Sequence, residues 1–166
     1  YGTDTYFQPL TISSCFALDG NKTKLKEYND EYIQVSRGST LQSEIPSVAR
    51  LYSVVLDSYY LMLNNEIKES KTRLKYFSNL FQKFLPSSTY IEAFDNMVFI
   101  YLKIYEKLNL HSDPNYADPI LVKKVRNEIF EFNKEKNDSK TNLDFRINNQ
   151  KGLLFATAKK ISYLEE

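Results

Sequence analysis

A chain of 166 residues with a net charge of +1 has no charge excess that would steer it as a whole towards nucleic acid or an anionic membrane. Hydrophobic residues make up 42% and charged residues 26%, the balance of an ordinary globular domain that needs no metal or disulfide to fold. The single cysteine, Cys15, excludes an internal disulfide and any metal site built from paired cysteines.

The first predicted helix follows an N-terminal stretch without helical spacing. Residues 1–20 carry no apolar repeat of helical period, so we predict an irregular or short extended segment there. A helix is predicted over residues 21–36, because its apolar residues recur at helical spacing. Gly38 comes where a helix commonly ends on a left-handed residue.

Residues 46–85 contain neither a glycine nor an internal proline, and their apolar residues keep helical spacing. Pro46 suits a first helical turn, so we predict that a helix starts there. One helix over this whole stretch would be about 60 Å long, which is long for a domain of this size. The Asn64–Asn65 pair and the polar residues after it favour two helices with a break between them.

Two further helices are predicted in the second half of the chain. Thr89 and Glu92 have the spacing of a capping box, in which each side chain bonds a free backbone N–H, and a helix is predicted over residues 89–109. After a loop, Asp118 is predicted as an N-cap, with Pro119 as the first residue of an amphipathic helix that extends to residue 135.

The C-terminal part is predicted to be less regular. Residues 133–142 contain no apolar residue, so we predict a polar linker there. Alternating apolar residues over 143–147 permit a short strand, and the spacing over 154–164 indicates a last helix. These elements predict an all-α fold, a single domain over residues 1–166. It is a compact bundle of five or six helices with short extended or irregular segments at both ends.

Motifs for catalysis and for cofactors are missing from the sequence. The four glycines are widely spaced, so no glycine-rich phosphate-binding motif can be written. Neither paired cysteines nor an H-E-x-x-H pattern offers metal ligands, and we predict no metal and no cofactor. His111 is the only histidine, and an enzyme built on His111 and Asp113 is an alternative to a non-catalytic protein.

Lys71, Arg73 and Lys75 form the densest basic cluster, and two aromatic residues follow them directly. Basic groups beside aromatic rings can bind phosphates and stack on bases. A nucleic-acid-binding helical module is therefore an alternative function. Glu66 and Glu69 lie close by in the sequence, and a committed nucleic-acid binder normally has a stronger basic surface.

Tyrosine gives the leading functional prediction, since the chain has 13 tyrosines and no tryptophan. Tyrosine is enriched in binding hot spots, and the helical stretches 46–63 and 89–109 are apolar on nearly all sides. An apolar face left uncovered would meet another chain. We predict a non-catalytic protein–protein interaction or scaffold domain that binds another protein or itself, with Tyr60, Tyr101 and Tyr105 as anchors.

Sequence features bear only weakly on the compartment. No run of about 20 apolar residues occurs, so no membrane span is predicted. The lone cysteine favours an intracellular protein. The chain begins with tyrosine, from which we expect a fragment of a larger protein or a processed one. Glycosylation sequons at Asn21 and Asn137 are expected by chance in a chain this rich in asparagine, and they leave open the alternative of a secreted or surface-displayed microbial effector-type binding protein.

Overall fold

The computed structural model describes residues 2–37, 46–86, 90–111 and 113–136. These residues form six α-helices and no strand, which confirms the predicted all-α bundle. In chain order the helices are α1 (Gly2–Leu18), α2 (Lys22–Arg37), α3 (Val48–Leu63), α4 (Ile67–Gln82), α5 (Ile91–Lys107) and α6 (Pro119–Lys136).

Helix α3 is the centre of the bundle, because it packs against α1, α2, α4 and α5. Its side chains Leu51, Tyr52 and Val55 are fully enclosed. Helix α5 is buried almost as completely, since every residue from Glu92 to Val98 is buried. The two helices that were predicted to be apolar all round are therefore largely covered by other helices of the same chain.

Aromatic rings fill the space between α4 and α5. The ring centroids of Phe77 and Tyr101 lie 4.8 Å apart, and Phe94 lies 6.5 Å from Phe81 and 6.0 Å from Phe84. Stacked and tilted ring pairs at these distances stabilise a core beyond the area they bury. Most aromatic side chains of these two helices are therefore core residues.

The prediction of an irregular segment over residues 1–20 is wrong, because α1 is a helix. Its buried side is a stripe of Phe7, Leu10, Ser14 and Ala17, which follows helical spacing. Because Ser14 is polar, the apolar residues of this stripe alone do not show a helical repeat. Pro9 removes one backbone donor inside α1, but packing of α2 and α3 along the helix maintains it.

Three helices end on a residue with a left-handed backbone. Gly20, Asn65 and Asn109 have φ values of 77°, 62° and 54°. After α1, the Asn21 N–H donates to the Phe16 carbonyl at 2.9 Å, and the same pattern closes α3 and α5. Such caps satisfy carbonyls that a helix end leaves free, and they turn the chain back towards the bundle.

The predicted break within residues 46–85 is confirmed, and it lies at the predicted asparagine pair. Helix α3 ends at Leu63, and α4 begins at Ile67. Asn65 adopts the left-handed conformation that asparagine tolerates better than most residues. The asparagine pair therefore marks the helix end for two reasons: its side chains are polar, and asparagine tolerates the left-handed backbone that the turn requires.

Side chains cap the N-terminal ends of α3 and α6, at or next to the residues that the sequence predicts. Ser47, one residue after Pro46, is the N-cap of α3, and its hydroxyl accepts a hydrogen bond from the Arg50 N–H at 3.2 Å. Asp118 caps α6 as predicted, because its Oδ1 accepts from the Ile120 N–H at 2.9 Å. Both side chains satisfy donors that the helix backbone leaves free.

The predicted capping box at the start of α5 is wrong by one residue. The N-cap is Tyr90, which makes no side-chain cap bond, and Glu92 is buried in the first turn. Thr89 lies outside the described residues.

The polar linker predicted over residues 133–142 is wrong in its first part. Helix α6 continues through Lys136, because intrahelical hydrogen bonds need no apolar residue to extend a helix that is already anchored. Residues 137–142, the predicted strand over 143–147 and the predicted helix over 154–164 lie outside the described residues.

Candidate functional site

A cleft of about 640 Å³ opens where α4 and α5 meet the loop that leads into α6. Phe81 lines it from α4 and Tyr105 from α5, and the loop contributes His111 and residues 113–118. The first residues of α6 complete the lining. This volume lies in the range of pockets that take a small ligand or a long side chain.

Two hydrogen bonds at Ala117 hold the loop against the bundle. The Ala117 N–H donates to Ser78 Oγ at 2.9 Å, and its carbonyl accepts from the Tyr101 hydroxyl at 2.7 Å. Ser78 and Tyr101 are buried in α4 and α5. The loop is thus fixed by groups from two helices, and the cleft has a defined shape.

Two carboxylates line the cleft, Asp113 and Asp118. Asp113 Oδ1 accepts from the Asn115 N–H at 3.0 Å, and Asp118 Oδ1 caps α6. Within the described part of the chain neither carboxylate forms an ion pair. No described residue that lines the cleft is a lysine or an arginine, so the lining is acidic.

The tyrosines of the cleft lie in a negative electrostatic environment. Burial raises the pKa of Tyr105, and the charges of Asp118 and Asp113 raise it further. Burial and the Asp113 charge likewise raise the pKa of Tyr116. Tyr105 is only 7% exposed, and its hydroxyl has no hydrogen-bond partner among the described residues. That hydroxyl is therefore available to a ligand in the cleft.

Helix α6 leaves large apolar side chains exposed next to the cleft. Ile120 is 75% exposed, and Leu121, Phe130 and Phe132 are each about half exposed. The side of α6 that is buried against the bundle is narrow. In the described part of α6, this buried side consists mainly of Val122, Ile129 and the half-buried residues beside them.

The exposed apolar residues of α6 do not share one side of the helix. At about 100° per residue, Leu121 and Phe132 lie roughly 20° apart on one flank. Phe130 lies on the opposite flank, where its ring centroid is 5.4 Å from the Arg126 guanidinium. Ile120 lies between the two flanks, roughly 100° from Leu121, and both Ile120 and Leu121 line the cleft. We call Ile120, Leu121 and Phe132 together the α6 face.

The three predicted tyrosine anchors do not form one surface. Tyr101 is fully buried, so a partner protein cannot contact its side chain. Its hydroxyl donates to the Ala117 carbonyl and holds the loop. Tyr105 lies at the cleft and exposes little besides its polar end. Tyr60 lies on α3, half-buried beneath Lys26 of α2, with the ammonium 5.3 Å from the ring centroid.

His111 and Asp113 both line the cleft, and no hydrogen bond joins the two side chains in the described part of the chain. His111 makes an edge-on contact with the Tyr105 ring, with centroids 5.3 Å apart. Asp113 bonds Asn115, and the nearby Ser78 hydroxyl donates to the Leu74 carbonyl at 3.1 Å. In the described residues, this cleft thus shows no hydrogen-bonded nucleophile, base and orienting group of the kind that acyl transfer requires.

The predicted basic cluster is divided by the geometry of α4. Lys71 and Lys75 lie roughly 40° apart around the helix, whereas Arg73 lies on nearly the opposite side. Arg73 Nε pairs with Asp57 Oδ2 at 2.6 Å, and Arg73 also lies over the Tyr76 ring. The three residues therefore do not form one phosphate-binding patch.

Sequence reasoning missed most of the cleft. Asp118 was identified only as a helix cap, and Tyr116 and Ser78 were not singled out. The available signal was the close sequence spacing of Asp113, Tyr116 and Asp118 in one loop. Nothing in the sequence showed that Tyr105 and Ser78, from two different helices, would adjoin that loop.

No protein-family model, curated protein or solved structure matches the chain. Among the described residues, no group of three or more histidine, cysteine, aspartate or glutamate side chains is placed to hold a metal ion. The same residues include no helix long and apolar enough to cross a bilayer. Any functional assignment therefore depends on the geometry of the cleft and of α6.

Proposed function

We propose that this protein is a non-catalytic interaction domain that binds another protein chain through the α6 face and the adjoining cleft. The observation that carries the proposal is the exposure of the α6 face beside a cleft of defined shape. Exposed large apolar side chains that border a concave surface, as Ile120 and Leu121 do, are typical of binding sites.

The described parts of the other helices support this location. Helices α3 and α5 have their apolar sides largely covered by neighbours, so they no longer provide the open face that their sequences predict. The exposed large apolar residues elsewhere, such as Leu18 on α1 and Val35 on α2, are separated in the sequence. Scattered residues of this kind are normal on a protein surface.

The chemistry of the site also fits binding better than catalysis. Its apolar part can provide affinity, because burying a leucine or isoleucine side chain stabilises a complex by about 1.5–3 kcal/mol. Its polar part, with Asp113, Asp118 and the Tyr105 hydroxyl, can provide orientation and specificity. A nucleic acid would be repelled by the acidic lining of this cleft.

Site-specific photo-crosslinking tests the proposal. A photoreactive amino acid is placed at Ile120 or at Phe132 in the full chain, and at Glu31 on the exposed side of α2 as the control. We expect both α6 positions to form the same protein adduct in extracts of the source cells, and the Glu31 position to form none. Adducts with another protein or with a second copy of this chain both support an interaction domain.

Two crosslinking results would contradict the proposal. If Ile120 and Phe132 form no adduct beyond that of the Glu31 control, the proposal is wrong. It is also wrong if the two α6 positions capture unrelated proteins, since a single docking surface places both residues against one partner.

A further inference from the structure

We infer that the cleft accepts the side chain of an arginine or lysine in the partner, while the neighbouring apolar residues of that partner cover the α6 face. The inference deepens the proposed function, because it states the chemistry of the segment that is bound. It rests on the charge, the aromatic lining and the free hydroxyl of the cleft.

Charge complementarity is the first support. Asp113 and Asp118 line the cleft without an ion pair in the described residues, and no described lysine or arginine lines it. In both carboxylates the hydrogen bonds from described residues are accepted by Oδ1, so Oδ2 can accept one from a ligand. A guanidinium or ammonium group supplies the charge that this lining lacks, and charge-assisted hydrogen bonds of this type are strong.

The aromatic lining is the second support. Phe81, Tyr105 and Tyr116 all line the cleft. The faces of aromatic rings attract cations, and arginine in particular packs its planar guanidinium on them. An acidic cleft lined only with carboxylates would suit a hydrated metal ion, whereas rings beside carboxylates suit an organic cation.

The Tyr105 hydroxyl is the third support, and it is independent of the carboxylates. The side chain is more than nine-tenths buried, yet its hydroxyl lies at the cleft without a hydrogen-bond partner among the described residues. Its oxygen can accept a hydrogen bond from a guanidinium or ammonium N–H. Because this hydroxyl is open to the cleft, a ligand that donates a hydrogen bond can replace the water that otherwise bonds it.

The position of the α6 face indicates which residues flank the bound arginine or lysine in the partner. Ile120 and Leu121 line the same cleft and are exposed. A basic residue in the cleft therefore places its neighbours in the chain beside these two side chains. We expect a segment in which an arginine or lysine is flanked by leucine or a similar apolar residue.

Titration with a defined peptide tests the inference. The probe is acetylated and amidated Leu-Arg-Leu, and its control carries citrulline, the uncharged isostere of arginine. We follow the amide resonances of Tyr105, Tyr116 and Leu121 in the full chain by NMR. We expect the arginine peptide to shift these resonances and to bind at least about fivefold more tightly than the citrulline peptide. Added salt should weaken the difference.

Charge-removing variants make the test specific. Asp113→Asn with Asp118→Asn removes both charges but keeps the turn and the helix cap, because asparagine accepts the same hydrogen bonds. The control, Asp19→Asn with Asp30→Asn, removes two charges near α1 and α2, outside the cleft lining. We expect the cleft variant to lose about fivefold in affinity for the arginine peptide and the control to lose none.

Several outcomes would overturn the inference. Equal binding of the arginine and citrulline peptides would show that the cleft does not recognise charge, and absence of binding would show that it does not take this side chain. Resonance shifts with Mg²⁺ or Ca²⁺ at the cleft, but none with the peptide, would identify a metal site instead.

Failure of this inference and failure of the proposed function can be told apart. If a partner crosslinked through Ile120 binds the Asp113→Asn/Asp118→Asn protein as tightly as the original protein, the interaction function stands and the cationic recognition is wrong. If the arginine peptide binds but no partner is crosslinked, the cation site stands and the interaction function is wrong.

Discussion

Asp95 is a fully buried carboxylate on α5, and Arg126 of α6 approaches it with Nε 3.2 Å from Oδ1. The Arg126 side chain is 13% exposed, so the pair is shielded from water on both sides. In the same turn of α5, Glu92 Oε2 is buried without a hydrogen-bond partner in the described structure. Buried charges are costly to leave without their partners.

This pair gives a prediction about stability. Arg126→Met keeps much of the side-chain volume but removes the cation beside Asp95, and we expect the free energy of unfolding at neutral pH to fall by about 3 kcal/mol. Urea unfolding measures this loss. The matched control is Arg73→Met, which breaks the half-exposed pair with Asp57 and should cost no more than about 1 kcal/mol. Equal losses in the two variants would contradict the assignment.

At the scale of elements, the left-handed caps decide where helices end. Asn65 separates α3 from α4 with a φ of 62°, and Glu66 after it also has non-helical backbone angles, with a ψ of 70°. The sequence predicted this break because an asparagine pair followed a long apolar run. Gly20 is the same kind of signal, but it did not predict a helix end because no apolar repeat of helical period precedes it.

The cap at Asn65 can be tested by two substitutions. Asn65→Ala places a β-carbon without a compensating side-chain bond in a left-handed backbone, and we expect a loss of about 1 kcal/mol in unfolding free energy. Asn65→Gly should lose none, because glycine adopts this conformation freely. As a control, Asn79→Ala in the exposed part of α4 should be neutral or stabilising. A stability loss with glycine would contradict a conformational role for Asn65.

Polar contacts between helices explain why α1 was missed. Ser13 Oγ donates to the Leu25 carbonyl at 2.7 Å, and Ser14 Oγ bonds the Tyr52 hydroxyl. On α3 and α4, Ser58 and Ser70 exchange hydrogen bonds with each other's carbonyls. Helical spacing of apolar residues predicted α3, α5 and α6 well. It missed α1, because Ser13 and Ser14 take two buried positions there and serine is also common in turns. In α3 and α4 enough apolar residues accompany the buried serines to keep the helical spacing visible.

The candidate site could likewise be predicted only in part from local sequence patterns. The loop carboxylate Asp118 was predicted as a cap from its position before Pro119, and the structure confirms it. The cleft requires Tyr105 and Ser78 from two helices beside that loop, and such tertiary proximity leaves no local pattern. The open apolar face was predicted on residues 46–63 and 89–109, but it lies on α6 instead. That difference arises in part because α1, predicted as an irregular segment, is a helix that packs against both α3 and α5.

At the scale of the whole molecule, buried tyrosines couple stability to alkaline pH. Burial raises the pKa of Tyr52, Tyr59 and Tyr101 above the usual value near 10, and Tyr105 and Tyr116 are raised as well. The unfolded chain releases these protons near pH 10, whereas the folded protein keeps them. The folded state thus binds more protons above that pH, and its stability falls as the pH rises.

The prediction is a difference in slope between variants. At pH 8 the tyrosines are protonated in both states, and no pH dependence arises from them. Between pH 10 and 11, Tyr52 and Tyr101, whose pKa values are raised most, should each remove up to about 1.4 kcal/mol of stability per pH unit. Urea unfolding of Tyr52→Phe and Tyr101→Phe should therefore show a shallower alkaline slope than the original protein. An unchanged slope in both variants would contradict the shifted pKa values.

The proposal that α6 is the binding surface has one most direct test. A photoreactive residue at Phe132 reports partner capture in the original protein, in Ile120→Gln/Leu121→Gln and in the control Leu18→Gln/Val35→Gln. The control removes two exposed apolar side chains from α1 and α2. Thermal unfolding shows that each variant is folded. We predict that capture falls by about tenfold in the α6 variant and stays unchanged in the control. Equal capture in all three proteins would contradict the account.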